Sequence, residues 1–245
     1  KEIHFARNSL DNHENGYTRR RVQHEAQKLL DIESADRTGL FDYASIRAGA
    51  SIVRNETQGE LTTPSLIDDL SAKHQILQAL GLRFYGYPPE AALSTTYPRN
   101  SLGHCWAFKS NVAGQASSWN KSDHGMDQTS SVGRLASLTV KLSRRITVTS
   151  VSIDHPPKEV THRPETAIQQ FHVLGYEDVY GESKPWILGN FVYNVHSSHS
   201  YQEFSVVNNY NGEDIPKLQS VMLAVDSNWG AKYSCLYRFR VHGSP

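Results

Sequence analysis

The chain contains two cysteines, Cys105 and Cys235, and each could act as a nucleophile, as a metal ligand or in a disulfide. A cysteine nucleophile needs a base within hydrogen-bond reach, and the residue beside Cys105 is His104. Because adjacent residues of a strand point to opposite faces, His104 cannot readily serve Cys105. The pair is therefore interpreted as buried reduced thiols or as one bridge, and not as a catalytic centre.

Two histidines, His196 and His199, have the spacing of metal ligands on a helix. Strand and turn patterns surround them, so we interpret them as solvated loop side chains. The sequence has no paired-carboxylate, phosphate-loop or zinc-spacing motif. It accordingly predicts neither an enzyme nor a metal site.

The charge balance argues against two classes of partner. Lysine plus arginine number 25 and aspartate plus glutamate number 25 in 245 residues, so the formal net charge is zero. Such a balance favours neither nucleic acid nor a polybasic contact with a membrane. No apolar run reaches the length of a membrane span, and the first residues are no secretory signal. We expect any membrane anchor of the parent protein to lie outside this chain.

Alternating apolar residues predict strands through the second half of the chain. Positions 233, 235, 237, 239 and 241 are apolar or aromatic, which predicts a strand with one buried face. The apolar positions before and after residues 149–150 are out of phase, which indicates a β-bulge there. Short strands without interleaved helices predict an all-β fold, an antiparallel β-sandwich of jelly-roll-like type.

The N-terminal part is predicted to be a helical extension. Residues 1–16 are polar and aperiodic, and a helix with one apolar stripe begins at Thr18 as its N-cap. This stripe packs either on its own domain or on copies of the chain, as at the end of a coiled coil. A second helical pattern runs over residues 63–81. The predicted division is 1–35 for the leader and helix and 36–245 for the β domain.

Three motifs together resemble the SUN domain. They are Cys-Trp-Ala-Phe at 105–108, Asn-Trp-Gly at 228–230 and Cys-x-Tyr-Arg-Phe-Arg-Val-His-Gly at 235–243, with further matches at 36–53 and 135–155. The resemblance implies a homotrimeric β-sandwich in the lumen between the two nuclear membranes, as part of an inner nuclear membrane protein. It implies a LINC complex, in which the domain grips the C-terminal tail of a KASH protein of the outer nuclear membrane. That bridge couples the nucleus to the cytoskeleton and serves nuclear positioning.

The resemblance also implies a binding site and a disulfide. In the family, a hydroxyl residue and two tyrosines hold the terminal carboxylate of the peptide, and a histidine lies near the groove. The matching residues are Thr166, Tyr233, Tyr237 and His155. The matching cysteines pair in the family, so a bridge between Cys105 and Cys235 is expected. Neutral hydroxyls suit a carboxylate because they donate hydrogen bonds without a buried charge.

The chain departs from the family pattern in two places. The lid segment, about 51–81, is longer than the family hairpin, and residues 53–57 lack the thiol that links many SUN domains to their partner. We therefore expect non-covalent binding. The family loop before residue 103 holds a monovalent cation such as potassium, but Arg99 stands where its acidic ligand would be and would repel a cation. The candidate residues of that loop are Ser94, Tyr97, Asn100 and His104.

Two further expectations concern modification and alternative functions. Asn55 and Asn120 begin Asn-x-Ser/Thr triplets, so both are candidate glycosylation sites. A carbohydrate-binding sandwich is the main alternative function, with Trp119, Trp186 and Trp229 as candidate sugar platforms. A structural trimer cap without a ligand is a third.

Overall fold

The structure is a computed structural model, which describes residues 38–59, 87–94, 104–110, 134–161, 163–180, 183–207, 209–210 and 212–245. Several predictions of the sequence lie outside these residues. They are the leader and the helix from Thr18, the helical pattern at 63–81, and the residues Tyr97, Arg99, Asn100, Trp119 and Asn120. The chain divides into one unit of residues 1–41 and a second of residues 42–245. The described residues of the first unit include a turn in which the Leu40 amide donates to the Thr38 hydroxyl at 3.1 Å.

The second unit is built from antiparallel strands, as the alternation predicts. The strands are β1 (Ser51–Ile52), β2 (Trp106–Lys109), β3 (Ala136–Asp154), β4 (Gln170–Tyr176), β5 (Trp186–Val192), β6 (Tyr201–Ser205), β7 (Asn209–Tyr210), β8 (Glu213–Asp214), β9 (Leu218–Val225), β10 (Tyr233–Leu236) and β11 (Arg238–Ser244). Short 3-10 turns cover Ile46–Ala48, Arg54–Glu56, Pro89–Leu93 and Pro164–Thr166. The all-β class and the antiparallel sandwich are thereby confirmed.

The long strand β3 joins the two halves of the sandwich. Its first part pairs with β1 and β9, in a sheet ordered β1-β3-β9-β4-β5, and its last part pairs with β11 and β6. The pairing of β3 with β11 skips one residue, because His242 lies opposite Ser150 and Gly243 opposite Val148. Thr149 is the extra residue, so the predicted bulge is confirmed. A Cβ on Gly243 would overlap the carbonyl oxygen of Thr147, which explains a glycine opposite the bulge.

The expectation of one buried face on the last strand is wrong. Both sets of alternating residues from Tyr233 to His242 are buried, and the segment is two strands, with β10 paired to β2 and β11 paired to β3. Leu236 and Phe239 both enter the main core, so the side-chain phase reverses at Tyr237, between the strands. The face opposite Phe239 can also be buried because its charged residues, Arg238 and Arg240, form ion pairs with Asp42 and Asp154.

One of these partners is the buried carboxylate of Asp42. Its Oδ2 accepts a hydrogen bond from Arg238 Nη2 at 2.7 Å, and its Oδ1 accepts from the amides of Ala44 and Val241 at 2.9 and 3.2 Å. The Tyr43 amide in turn donates to the Val241 carbonyl at 2.9 Å. Asp42 therefore fixes the start of the second unit to its last strand.

Replacing Asp42 by asparagine should destabilise the domain by about 3–5 kcal/mol, because it removes one partner of a buried ion pair. Denaturant unfolding at pH 7 measures the change. Glu90→Gln is the control, because Glu90 pairs with the largely exposed Arg54; it should cost at most about 1 kcal/mol. Equal losses in the two variants would contradict the role of Asp42.

Candidate functional site

His155 follows the end of β3 and is 2% exposed. Its Nδ1 lies 3.1 Å from the carbonyl oxygen of Pro156, which can only accept, so Nδ1 carries a proton. Its backbone amide donates to the Ser200 carbonyl at 3.3 Å. Burial lowers the pKa of His155 to about 4, and the bond to Pro156 opposes this shift. The ring is therefore neutral at pH 7, with Nε2 as an acceptor.

Thr166 lies against this acceptor. It ends the 3-10 turn Pro164–Thr166, is 4% exposed, and its Oγ1 lies 3.3 Å from His155 Nε2. The same hydroxyl donates to the Arg163 carbonyl at 2.9 Å. One hydroxyl proton thus faces two acceptors, which leaves the hydroxyl free to change its donor direction without a change of position.

Tyr237 packs against the ring of His155. The two rings meet edge to face, with centroids 5.2 Å apart and planes at 87°. Tyr233 and Tyr237 pack with Cys105, Ala107 and Cys235 in one buried cluster. The structure therefore brings His155, Thr166 and Tyr237 together directly, and it places Tyr233 next to them through the cysteine cluster.

The two cysteines are disulfide-bonded, as the resemblance implied. Their Cα atoms are 5.4 Å apart, and Cys235 lies opposite Ala107 in the pairing of β10 with β2. The bridge joins residues 130 positions apart in sequence. The chain-entropy model gives a loop of that length about 4–5 kcal/mol, before any native strain is subtracted.

Sequence reasoning missed the backbone frame that holds these side chains. The Ser200 carbonyl accepts from the His155 amide and, at 2.8 Å, from the Tyr193 hydroxyl. The indole N–H of Trp229 donates to the Tyr193 carbonyl at 3.1 Å, and its amide donates to the Ala167 carbonyl at 3.3 Å. Trp229 therefore holds both Ala167, which follows Thr166, and Tyr193, which shares the Ser200 acceptor with His155.

The Asn-Trp-Gly motif was the signal for this frame. Asn228 Nδ2 lies 2.9 and 3.1 Å from the carbonyls of Ala231 and Tyr233, and its Oδ1 accepts from the Gly230 amide at 2.9 Å. Gly230 has φ 104°, a left-handed conformation that favours glycine. The motif is thus a turn that delivers β10 to the site.

The other candidate residues make different contacts. Ser94 donates to the Glu90 carbonyl at 3.0 Å, and the ring of His104 packs on Tyr87 with centroids 4.4 Å apart. Exposed His196 meets Trp229 edge to face, whereas exposed His199 lies against Ser198. Within the described ranges, no group of three or more His, Cys, Asp or Glu side chains could hold a metal ion.

Comparison with known proteins decides the family. Residues 110–245, more than half of the chain, match the family model described as Sad1 / UNC-like C-terminal. The chain belongs to the SUN-domain family. This SUN domain is 29% identical over 234 residues to human SUN domain-containing protein 1, covering 94% of this chain and 25% of that protein. It is 31% identical over 213 residues to mouse SUN domain-containing protein 3, covering 86% and 54%.

The SUN domain spans about a quarter of the length of the first curated relatives that it matches. Among solved structures, it is similar to the family 32 carbohydrate-binding module of Streptococcus pneumoniae EndoD, with 14% identity, a TM-score of 0.44 and coverage of 82% of this chain and 99% of that one. At this TM-score and identity, the similarity carries no information about what the chain binds. In the part of the chain that the structure describes, no helix has the length and apolar character of a membrane span.

The buried neutral state of His155 predicts acid sensitivity. Its folded pKa, about 4, lies below the ordinary value of 6.5, so the unfolded chain binds more protons between these values. The contribution of His155 to the free energy of unfolding is therefore complete above pH 6.5. It is lost as the pH falls towards 4, and the loss is about 3 kcal/mol in all. His155→Gln should make the free energy of unfolding in urea fall less steeply with pH between pH 6.5 and 4. The exposed variant His196→Gln should leave that slope unchanged. A His155→Gln curve as steep as that of the wild type would contradict this assignment.

The disulfide has a direct chemical test. Thiol titration of the denatured, unreduced protein should find no free thiol, because both cysteines are in the bridge. Cys235→Ala should lower the free energy of unfolding by about 2–5 kcal/mol. Two free thiols per chain would refute the bridge.

Proposed function

We propose that this SUN domain binds the C-terminal tail of a KASH-domain protein, non-covalently, in the lumen between the two nuclear membranes. It acts there as part of an inner nuclear membrane protein and a homotrimer, and forms the nucleus–cytoskeleton bridge of a LINC complex. Membership of the SUN-domain family supports the class of partner. The observation that carries the proposal is the contact of the neutral His155 ring with both the Thr166 hydroxyl and the Tyr237 ring at one buried position.

A terminal carboxylate needs hydrogen-bond donors when it leaves water. Tyr237 brings a phenolic O–H, and Thr166 brings an O–H that can turn away from His155 Nε2 or from the Arg163 carbonyl. Neutral donors of this kind stabilise the anion without the cost of a second buried charge. The tail then ends beside the last strands, where its carboxylate fixes the register.

The same atoms argue for binding rather than catalysis. Thr166 and His155 form a hydroxyl–imidazole pair, as in a nucleophile and its base. However, His155 Nδ1 donates to the uncharged Pro156 carbonyl, whereas the histidine of a catalytic triad donates to a carboxylate, and burial outweighs this bond and keeps the ring neutral. We propose no enzymatic role for the domain.

A non-covalent link follows from the cysteines. Both are used by the Cys105–Cys235 bridge, so neither can form a mixed disulfide while that bridge is intact. On non-reducing denaturing gels, the domain and the tail should therefore migrate as two separate bands.

The carbohydrate-binding alternative has less support from the side chains. The indole N–H of Trp229 is used by the Tyr193 carbonyl, and Lys184 Nζ lies over the ring of Trp186, 5.9 Å from its centroid. Trp119 lies outside the described residues. A sugar-binding domain would bind glycans, and amidation of a peptide's C-terminus would not change its binding. A trimer cap without a ligand would bind none of the tails.

The proposal predicts that the Tyr237 hydroxyl contributes to affinity. Tyr237→Phe should weaken binding of a synthetic KASH tail by about 1–3 kcal/mol, because an oxygen of the carboxylate is left buried without its donor. Isothermal titration calorimetry measures the change. Tyr180→Phe is the matched control, since Tyr180 is 62% exposed. A tail with a C-terminal amide should bind far more weakly to the wild type, and equal affinity for the acid and the amide would rule the proposal out.

A further inference from the structure

An exposed asparagine lies in the segment that follows β1. Asn55 is the middle residue of the 3-10 turn Arg54–Glu56 and begins the triplet Asn55-Glu56-Thr57. Asn-x-Thr is the acceptor pattern of N-linked glycosylation, which needs an accessible amide and the hydroxyl of the third residue. Such triplets are common, so the contacts of the three residues decide what this one can do.

We propose that Asn55 carries an N-linked oligosaccharide, added before its segment packs against β3. The inference rests on the luminal location in the proposed function. In the transfer, Asn55 Nδ2 bonds to the first sugar carbon of an oligosaccharide carried on a polyprenyl pyrophosphate. The bond from that carbon to the pyrophosphate oxygen breaks, and the pyrophosphate leaves as the amide gives up one proton.

In the folded domain, the hydroxyl of Thr57 is fully engaged. Thr57 Oγ1 donates to the Val53 carbonyl at 2.9 Å and accepts the Thr139 amide at 3.1 Å. The Glu56 carbonyl accepts from the hydroxyls of Ser137 and Thr139 at 3.3 and 3.1 Å. A transferase could not use this hydroxyl without breaking those bonds, so the folded triplet is a poor acceptor.

The order of the sequence removes this obstacle during synthesis. Thr139 lies 82 residues after Thr57, so the bonds that hold Thr57 cannot form until β3 has been made. At a usual elongation rate, the triplet stays unpaired for roughly 4–16 s. After folding, Asn55 remains exposed, and the glycan extends into solvent without displacing a core residue.

The position also gives the glycan a physical effect. β1 ends the order β1-β3-β9-β4-β5, and no other described strand pairs with its outer side. Asn55 follows the end of β1 by three residues, since β1 is Ser51–Ile52. A glycan there adds bulk beside the first strand of the described sheet and so hinders other chains from pairing with that strand.

The test uses the full-length protein from eukaryotic cells. Release of glycans by peptide N-glycosidase in heavy-oxygen water converts a glycosylated asparagine into labelled aspartate, which mass spectrometry locates. Most wild-type molecules should carry the label at residue 55. Asn55→Gln and Thr57→Val should lose it, and the conservative Thr57→Ser should keep it. Pulse-labelling should find the glycan on nascent chains, and addition after chain completion would contradict the proposed order of events.

A second variant separates this inference from the proposed function. His196→Thr makes exposed Asn194 the start of an Asn-Val-Thr triplet and so reports the compartment. A label at residue 194 without one at residue 55 would overturn the glycan at Asn55 and leave the luminal location intact. Absence of label at residues 55, 120 and 194 alike would contradict the luminal location itself, and with it this inference.

Discussion

The pairing of β10 with β2, closed by the Cys105–Cys235 disulfide, is the constraint on which the site depends. In the described part of the chain, β2 is the strand that holds β10. Past Leu236 the chain leaves β2 and joins β3 as β11, so Tyr237 lies at the change of partner. Because His155 directly follows the end of β3, this change brings Tyr237 against the imidazole. The disulfide and the change of pairing partner from β2 to β3 thus fix the contact between Tyr237 and His155.

The chemistry of the site follows from burial. Burial keeps His155 neutral, and its Nδ1 is committed to the Pro156 carbonyl, so the ring offers an acceptor and not a charge. The adjoining Thr166 hydroxyl has one proton and two acceptors within reach. An anion that reaches this position gains donors only if hydroxyls turn towards it. In the proposed function, hydrogen-bond geometry selects the ligand more than net charge does, in keeping with the balanced charge of the chain.

Sequence patterns predicted the β class, the bulge at Thr149 and, through the family motifs, the disulfide, because these depend on local phase or on distinctive residues. They could not show that the alternation from Tyr233 to Val241 covers two strands, because each strand keeps a period of two. The change of partner and the reversal of the core-facing phase at Tyr237 come from tertiary pairing. The shared acceptor Ser200 was also invisible, because a carbonyl that joins Tyr193 to His155 has no side-chain signature. Tertiary pairing decides such features, and local sequence does not encode them.

Nuclear magnetic resonance of the His155 ring tests the central claim most directly, because that ring borders the position assigned to the carboxylate. Titration with a KASH tail that has a free C-terminus should shift the His155 ring signals, and the same tail with a terminal amide should leave them nearly unchanged. Equal shifts with both tails, or tail binding that leaves the His155 signals in place, would contradict recognition of the carboxylate at this site.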